Sequence, residues 1–497
     1  MEHNLRSTKS DYKSYIINVF YYGFLVGFAV ILPLVLRKFF RPIIGFTYGF
    51  DYGIFELFGF SCSLVTLVIV YTKLRKQPVL SLEKAIEIVL PVLVCFFFLI
   101  QVVEHSNKSR DYERYEQAAK AVIAKSNLYE NTNYFYPPFT AQIMALTFKL
   151  FRSGILFLNL NHQKLEYTSW QFVFYLFQCM QFFLVILSYF LCYRFACKVN
   201  LTSLQSLIIV TTLFLFNNSL IRTLSFNQVN LYVLTSILIA VLCLPEYPIV
   251  SGLALAIGTH IKLYPLLIGI VLFFAKKRIV LLWTIIGACF ILLIQTRWGQ
   301  NWQLWSDFLV FFTSSFPKDA SFRNNSLHSF SYNIVSLISY FLKLNLKYTS
   351  KQLVAQIMVF IESFFVIVWF GIRFILRERM FHGIVNQDKL SINDKADFYR
   401  ICGHVLDGIG IMLLLSPMVW EHHYIISLPI AIWSISIMGR DKPWQVGTSM
   451  FLIYVLPTFD VFPFSYHRVV GLVMLVCLIK PEQSLFISRL GLKNEHC

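Results

Sequence analysis

A chain of 497 residues that is 57% hydrophobic and 17% aromatic lies outside the range of soluble globular proteins, whose apolar fraction is nearer roughly 45–50%. Its net charge of +17 would suit a nucleic-acid partner in a soluble protein, but here Lys and Arg cluster between apolar runs, as in a multi-pass membrane protein with basic cytosolic loops, so no nucleic acid is expected. All ten cysteines lie in apolar runs or in segments assigned to the cytosol, and none forms a Cys-x-x-Cys pair, so neither a disulfide framework nor a thiolate metal site is indicated.

The first apolar run, residues 15–36, follows a short basic N-terminus without an Ala-x-Ala cleavage site and reads as an uncleaved anchor. Further runs cover 54–71, 86–103, 170–195, 201–216 and 229–244, near the ~20 residues that cross a bilayer or fewer where a helix reaches part-way. Lys73, Arg75, Lys76 and Lys84 mark the second loop as cytosolic, which predicts the N-terminus inside and the loop 104–169 outside. Within that loop Asp111 heads a stretch whose Tyr112, Tyr115, Ala119, Val122 and Ile123 share one helical face. This predicts a helix lying flat in the interface, tyrosines against the lipid boundary. Tyr136-Pro137-Pro138 then fixes an extended turn ahead of an apolar helix over 139–151.

The run 248–275 ends in Lys276-Lys277-Arg278, which a single straight helix would leave outside. Gly258, His260, Lys262 and Pro265 at its middle predict a break instead, giving two half-helices that turn back with Lys262 at the tip. Residues 280–295 go out, and the second external loop, 297–333, carries Arg323, Asn324, Asn325 and Ser326. Residues 352–375 return to the longest cytosolic loop, the charge-rich segment 377–404. Residues 405–415 lead out to Ser416, Pro417, Trp420, Glu421, His422 and His423; 424–437 come back, and 446–456 with 468–479 form a last pair. The expectation is an all-α polytopic protein of roughly 12–14 membrane segments, some partial. It forms one domain over 1–497, with extra N-terminal spans in 1–85, a core in 86–440 and C-terminal spans in 441–497.

This charge-based topology brings Asp111, Tyr136, Gln228, Asn230, Lys262, Asn325, His422 and His423 to one membrane face. Polar groups at such depth usually line a cavity. Lys262 is too deep to reach water by snorkelling if its run were straight, and reads either as a cation for a lipid-borne phosphate or as a lysine satisfied by the broken backbone. Asp111 is a candidate base or the N-cap of its helix, with Glu104, Glu113 and Glu116 as other available carboxylates. Gln228 and Asn230 have helix-capping roles as their alternative. The adjacent His422 and His423 point about 100° apart on a helix, so one faces the site while the other packs, and they lack the spacing of a metal pair.

Asp111-Tyr112 with Tyr115 and Asn127-Leu128-Tyr129, then Tyr136-Pro137-Pro138, Gln228-x-Asn230, Lys262-x-Tyr264-Pro265, Asn324-x-Ser326-Leu327 and Ser416-Pro417-x-x-Trp420-x-His422-His423 resemble, in order, glycosyltransferase family 87. The likeness runs from about Asp111 to His423, with Asn227 where the family usually has glycine and Asn325 where it usually has glutamine. The resemblance implies a C-type membrane glycosyltransferase fold in the plasma (inner) membrane, its site on the extracytoplasmic side. It implies an inverting transfer of a hexose such as mannose from a polyprenyl-phosphate donor to a glycolipid or glycan acceptor. Asp111 would take the acceptor's proton with His422 or His423 nearby, and Tyr136, Gln228, Asn230, Tyr264, Asn324, Asn325 and Trp420 would form the pocket. Because a polyprenyl phosphate leaves as a stable anion, one carboxylate suffices where glycosidases need two. Lys262, with Arg222 and Arg323, would stabilise the phosphate. No Asp-x-Asp occurs in the chain, so neither a divalent metal nor a nucleotide sugar is indicated, and no cofactor is expected. The competing class is a transporter or flippase of a lipid-linked or small polar substrate; such folds commonly carry internal repeats, and none is seen here.

Overall fold

A computed structural model describes residues 80–481, apart from short stretches of which 155–161, 316–320 and 388–392 are the longest, together with Gly23, Leu25 and Gly27. The first two expected spans, 15–36 and 54–71, therefore lie outside the described residues save for those three positions. Every regular element among the described residues is helical.

Helix α1 (Leu80–Glu104) leads into the short α2 (Arg110–Ala124), followed by α3 (Phe139–Gly154) and α4 (His162–Lys198). Helix α5 (Ser203–Leu215) starts at a Thr202–Gln205 capping box, which satisfies two of the end donors a helix leaves open. It bends by 52° into α6 (Asn218–Ser225). Next come α7 (Asn230–Cys243), α8 (Pro248–Ile261), α9 (Pro265–Phe274), α10 (Arg278–Gln295) and α11 (Gln303–Val310). The chain continues through α12 (Leu327–Phe341), α13 (Tyr348–Gln387) and α14 (Asn393–Leu415) to a 3-10 turn over Glu421–Ser427, then α15 (Leu428–Met438), α16 (Pro443–Met450) and α17 (His467–Leu478).

Among the described residues four helical stretches are long and apolar enough to cross a membrane: Leu165–Lys198, Arg278–Gln295, Tyr348–Gly383 and Ala396–Leu415. The bent pair α5–α6 makes a fifth if taken as one span, and α7, α8 and α9 are shorter apolar helices. The stretch 248–275 is broken where Pro265 begins α9, leaving Lys262 with extended backbone at the C-terminal end of α8.

Two expectations change. The tyrosines of α2 do not face lipid: Tyr112 and Tyr115 are buried, Tyr112 against Phe174 of α4 and Tyr115 against Tyr136. Protein covers the apolar face that the sequence assigned to the bilayer. Nor is 377–404 an open cytosolic loop, since Arg377 lies in α13 and His404 in α14. Arg373 and Arg377 pair with Asp407, and Arg400 with Glu378, at 2.6–2.9 Å, and the His404 ring Nε2 meets Glu378 Oε1 at 2.7 Å. Charges that read as a solvated loop neutralise one another between two helices, as ionisable groups inside a membrane must.

Candidate active site

Asp111 sits in the first turn of α2, and its helix is docked by the residue before it. Ser109, not Asp111, is the N-cap: its Oγ accepts the Tyr112 N–H at 3.1 Å and donates to the Phe226 carbonyl at 2.7 Å. Asn227 Oδ1 accepts the Ser109 N–H at 3.0 Å. Asn227 itself adopts φ 52°, a left-handed conformation that glycine takes freely and asparagine tolerates better than most residues. This accounts for the asparagine at a position where glycine was expected.

Asp111 is then held by two neighbours. Oδ2 accepts from Gln228 Nε2 at 2.5 Å, and Oδ1 faces Arg114 Nη1 at 3.0 Å. The Gln228 amide has little choice of orientation, because its Oε1 accepts from the hydroxyls of Tyr136 at 3.0 Å and Tyr115 at 3.2 Å. Its NH2 is left for the carboxylate. Burial raises the Asp111 carboxyl above its ordinary pKa, and Arg114, the Gln228 hydrogen bond, Lys262 and Arg110 pull it part of the way back.

Lys262 is buried, its Nζ 2.6 Å from Asn230 Oδ1 and 3.0 Å from His423 Nε2, with the rings of Tyr136 and Tyr264 at 5.0 and 5.7 Å. The other end of the Asn230 amide donates to the His422 carbonyl at 3.0 Å, so one side chain on α7 fixes both the lysine and the histidine turn. His423 Nδ1 accepts the Trp420 N–H at 3.0 Å. The same Nδ1 lies 3.3 Å from the Trp420 carbonyl, and Nε2 faces Lys262 Nζ, which as an ammonium only donates, so the neighbours of the two ring nitrogens favour opposite tautomers and fix neither.

These groups stand at one end of a cavity of ≈ 1350 Å³. Asp111, Tyr136, Gln228, Lys262, Tyr264, Arg323, Trp420, His422 and His423 all line it, as does Arg110. From there it continues between α9, α13 and α14 along Leu267, Val271, Phe370 and Ile411 as far as Asp407 and His404. Ile270 and Phe274 of α9 and Ile367 and Ile375 of α13 line it and are also exposed, so it is a groove with an open apolar side. The rise of α9 from Pro265 to Phe274 makes this stretch of it about 14 Å long, roughly half a bilayer core.

Three expected site residues are not brought to the cavity wall, and a fourth stands behind it. Arg222 points away, its Nε 2.9 Å from Glu421 Oε1. Asn324 is a buried clamp whose Oδ1 accepts the N–H of Ser326 and Val419 and whose Nδ2 donates to Pro417 O. Asn325 donates its N–H to Val419 O. Both hold the segment that leads to the histidines and reach no cavity space. Asn230 lies behind Lys262 as its partner. The sequence reading did not single out Arg110 and Arg114. Arg114 had a visible signal, since a basic residue three positions after an acid shares its helix face.

The profile of glycosyltransferase family 87 matches residues 134–385. No curated protein matches the chain. The match contains Tyr136, Gln228, Lys262 and Arg323, while Asp111 precedes it and His422 and His423 follow it. The matched stretch covers half of the chain, its helices are those of a membrane protein, and its polar residues converge on one groove: the chain belongs to glycosyltransferase family 87.

Proposed function

We propose that the protein is a metal-independent, inverting hexosyltransferase of C-type fold. In this reading it moves a sugar such as mannose from a polyprenyl-phosphate donor to a hydroxyl of a glycolipid or glycan acceptor, at the extracytoplasmic face of the plasma membrane. The observation that carries it is the pairing of a held carboxylate, Asp111, with a buried Lys262 at the head of an apolar groove open to lipid. A substrate with a charged head and a long hydrocarbon tail fits that pairing, and a nucleotide sugar does not.

In the reaction the acceptor hydroxyl gives its proton to Asp111 while its oxygen bonds to the anomeric carbon. The bond from that carbon to the phosphate oxygen breaks on the opposite face, and polyprenyl phosphate leaves as an anion. Lys262 Nζ, with His423 Nε2 3.0 Å away as its neighbour, presents N–H to the head of the groove, where a phosphate oxygen accepts from it. Arg110 and Arg323 add positive charge at the same end. Asp111 is the one carboxylate among the lining residues at this end, Asp407 being at the other, which suits a leaving group that needs no general acid.

The test is transfer from polyprenyl-phosphate mannose to a lipid extract of the cells' own membranes, read as released polyprenyl phosphate. Asp111→Asn should lower turnover at least about 10²-fold with expression unchanged, whereas Lys262→Ala should chiefly raise the KM for the lipid donor. Near-normal turnover by the Asp111 variant removes the proposed base.

A further inference from the structure

We infer that Glu421 is a positioning residue for the histidine turn, and that α17 is part of the active-site frame through it. The inference rests on the proposed transfer reaction. Glu421 opens the 3-10 turn Glu421–Ser427 that carries His422 and His423. Its carboxylate is buried between two arginines from different helices: Arg222 of α6, Nε to Oε1 at 2.9 Å, and Arg468 of α17, Nη2 to Oε2 at 3.7 Å. Thr458 Oγ1 donates to Oε2, and Arg468 Nη1 donates to that same hydroxyl at 3.0 Å. Arg468 Nη2 also donates to the Leu456 carbonyl at 2.9 Å, which ties the chain between α16 and α17 to the turn.

A short turn of seven residues has few internal bonds with which to set its own orientation. External fixings do it here. Asn230 of α7 donates to the His422 carbonyl at 3.0 Å, and the Thr223 hydroxyl of α6 shares its one proton between Ser219 O at 2.8 Å and that same carbonyl at 3.2 Å; the two hold the backbone on one side. Glu421 holds the first residue on the other, through α6 and α17 together. With both in place the His422 and His423 rings lie against each other, centroids 4.6 Å apart, and line the cavity beside Lys262. Releasing the Glu421 end lets the turn rotate about the bonds that remain. That moves the imidazoles relative to Asp111 while Lys262 keeps its bond to Asn230. Arg222 thus serves the turn rather than the donor phosphate.

The experiment uses the full-length protein in lipid nanodiscs, with polyprenyl-phosphate mannose and the membrane-lipid extract as substrates. Turnover is normalised to folded protein, and thermal unfolding is recorded for each variant. Glu421→Gln keeps the shape and removes the charge; Thr458→Val removes only the hydroxyl that holds Oε2. The expected result is a kcat lowered at least about tenfold for Glu421→Gln and by a smaller factor for Thr458→Val, with the KM for the lipid donor within about twofold of wild type. If Glu421→Gln yields no folded protein, Thr458→Val and the double variant Glu421→Gln/Arg468→Gln decide by the same criterion. Variants that melt earlier but turn over normally per folded molecule overturn the inference, because a merely structural clamp changes stability and leaves kcat alone. Loss of turnover by Glu421→Gln with Asp111→Asn fully active would sink the reaction reading instead, so the two failures are separable.

Discussion

Asp111 is placed as the proposed base requires and is not taken up by the backbone of its own helix. An N-cap carboxylate would be spent on backbone N–H groups, but Ser109 does that work and leaves Asp111 to a side-chain amide and a guanidinium. Burial lifts its pKa while Arg114 is the first of the groups that lower it. The sign follows directly: a base must be deprotonated, so the rate rises as pH rises through the Asp111 pKa. The acid limb of kcat/KM should therefore lie above the pH of an ordinary carboxylate, about 3.9. Arg114→Gln removes the main lowering charge and should move that limb to still higher pH while leaving the plateau rate at high pH within a few-fold. A pH profile of kcat/KM for the two proteins checks this, and an unmoved limb would mean that a group other than Asp111 titrates in it. Sequence alone named Asp111 and Gln228 but not their contact, which depends on Tyr115 and Tyr136 turning the amide.

At the scale of the element, the decisive feature is the break between α8 and α9, and it was legible: a basic triplet on the wrong side of a straight span, with a proline and a lysine in its middle. What fixes the broken piece in place was not legible. Helix α8 lies so close to α10 that a Cβ added at Gly252 would stand 2.6 Å from the Val280 carbonyl and 2.7 Å from Trp283 Cβ, and one at Gly287 would stand 2.9 Å from Leu253 Cδ2. Small residues at such crossings let backbones approach and pack, which in a membrane replaces the hydrophobic drive that water supplies elsewhere. Gly252→Ala should thus destabilise by about 1–3 kcal/mol, since the obstacle is backbone and cannot swing aside. Gly269→Ala is the control, because the added carbon would meet Leu281 Cδ1 at 3.5 Å, an ordinary contact. Melting of both variants in detergent separates them; equal melting temperatures would show that α8 has room to move. The segment 377–404 was misread for a related reason. Charge density marks a loop only when its charges face water, and here Arg377 faces Asp407 and Arg400 faces Glu378.

At the scale of the whole molecule the groove joins two polar poles through an apolar passage. One pole holds Asp111, Lys262 and the histidines, the other His404 and Asp407, the latter ion-paired with Arg373 and Arg377. No sequence pattern announces such a passage, because α9 lies far in the chain from the α13 and α14 that complete its lining, and each lining residue alone looks like any apolar membrane residue. The paired inner pole sets a natural end to it, since hydrocarbon gains nothing by pushing aside charges that are already satisfied. Gly371 of α13 lines the passage, and a Cβ there would meet nothing within 4 Å. It lies between Phe370 and Phe374, which line the passage beside it. A leucine at this position starts from an unobstructed Cβ on an exposed part of the helix, so Gly371→Leu should fold and obstruct chiefly what lies in the inner half of the groove. Transfer from a long-chain polyprenyl-phosphate sugar should then lose about tenfold or more in kcat/KM, while a donor with only one or two isoprene units, too short to reach residue 371, should be used as well as by the wild-type protein. Measuring kcat/KM for both donors with both proteins decides the matter. A loss shared equally by the two donors would mean that residue 371 acts on the fold and not on the lipid tail, and no loss with either would mean that the tail runs elsewhere.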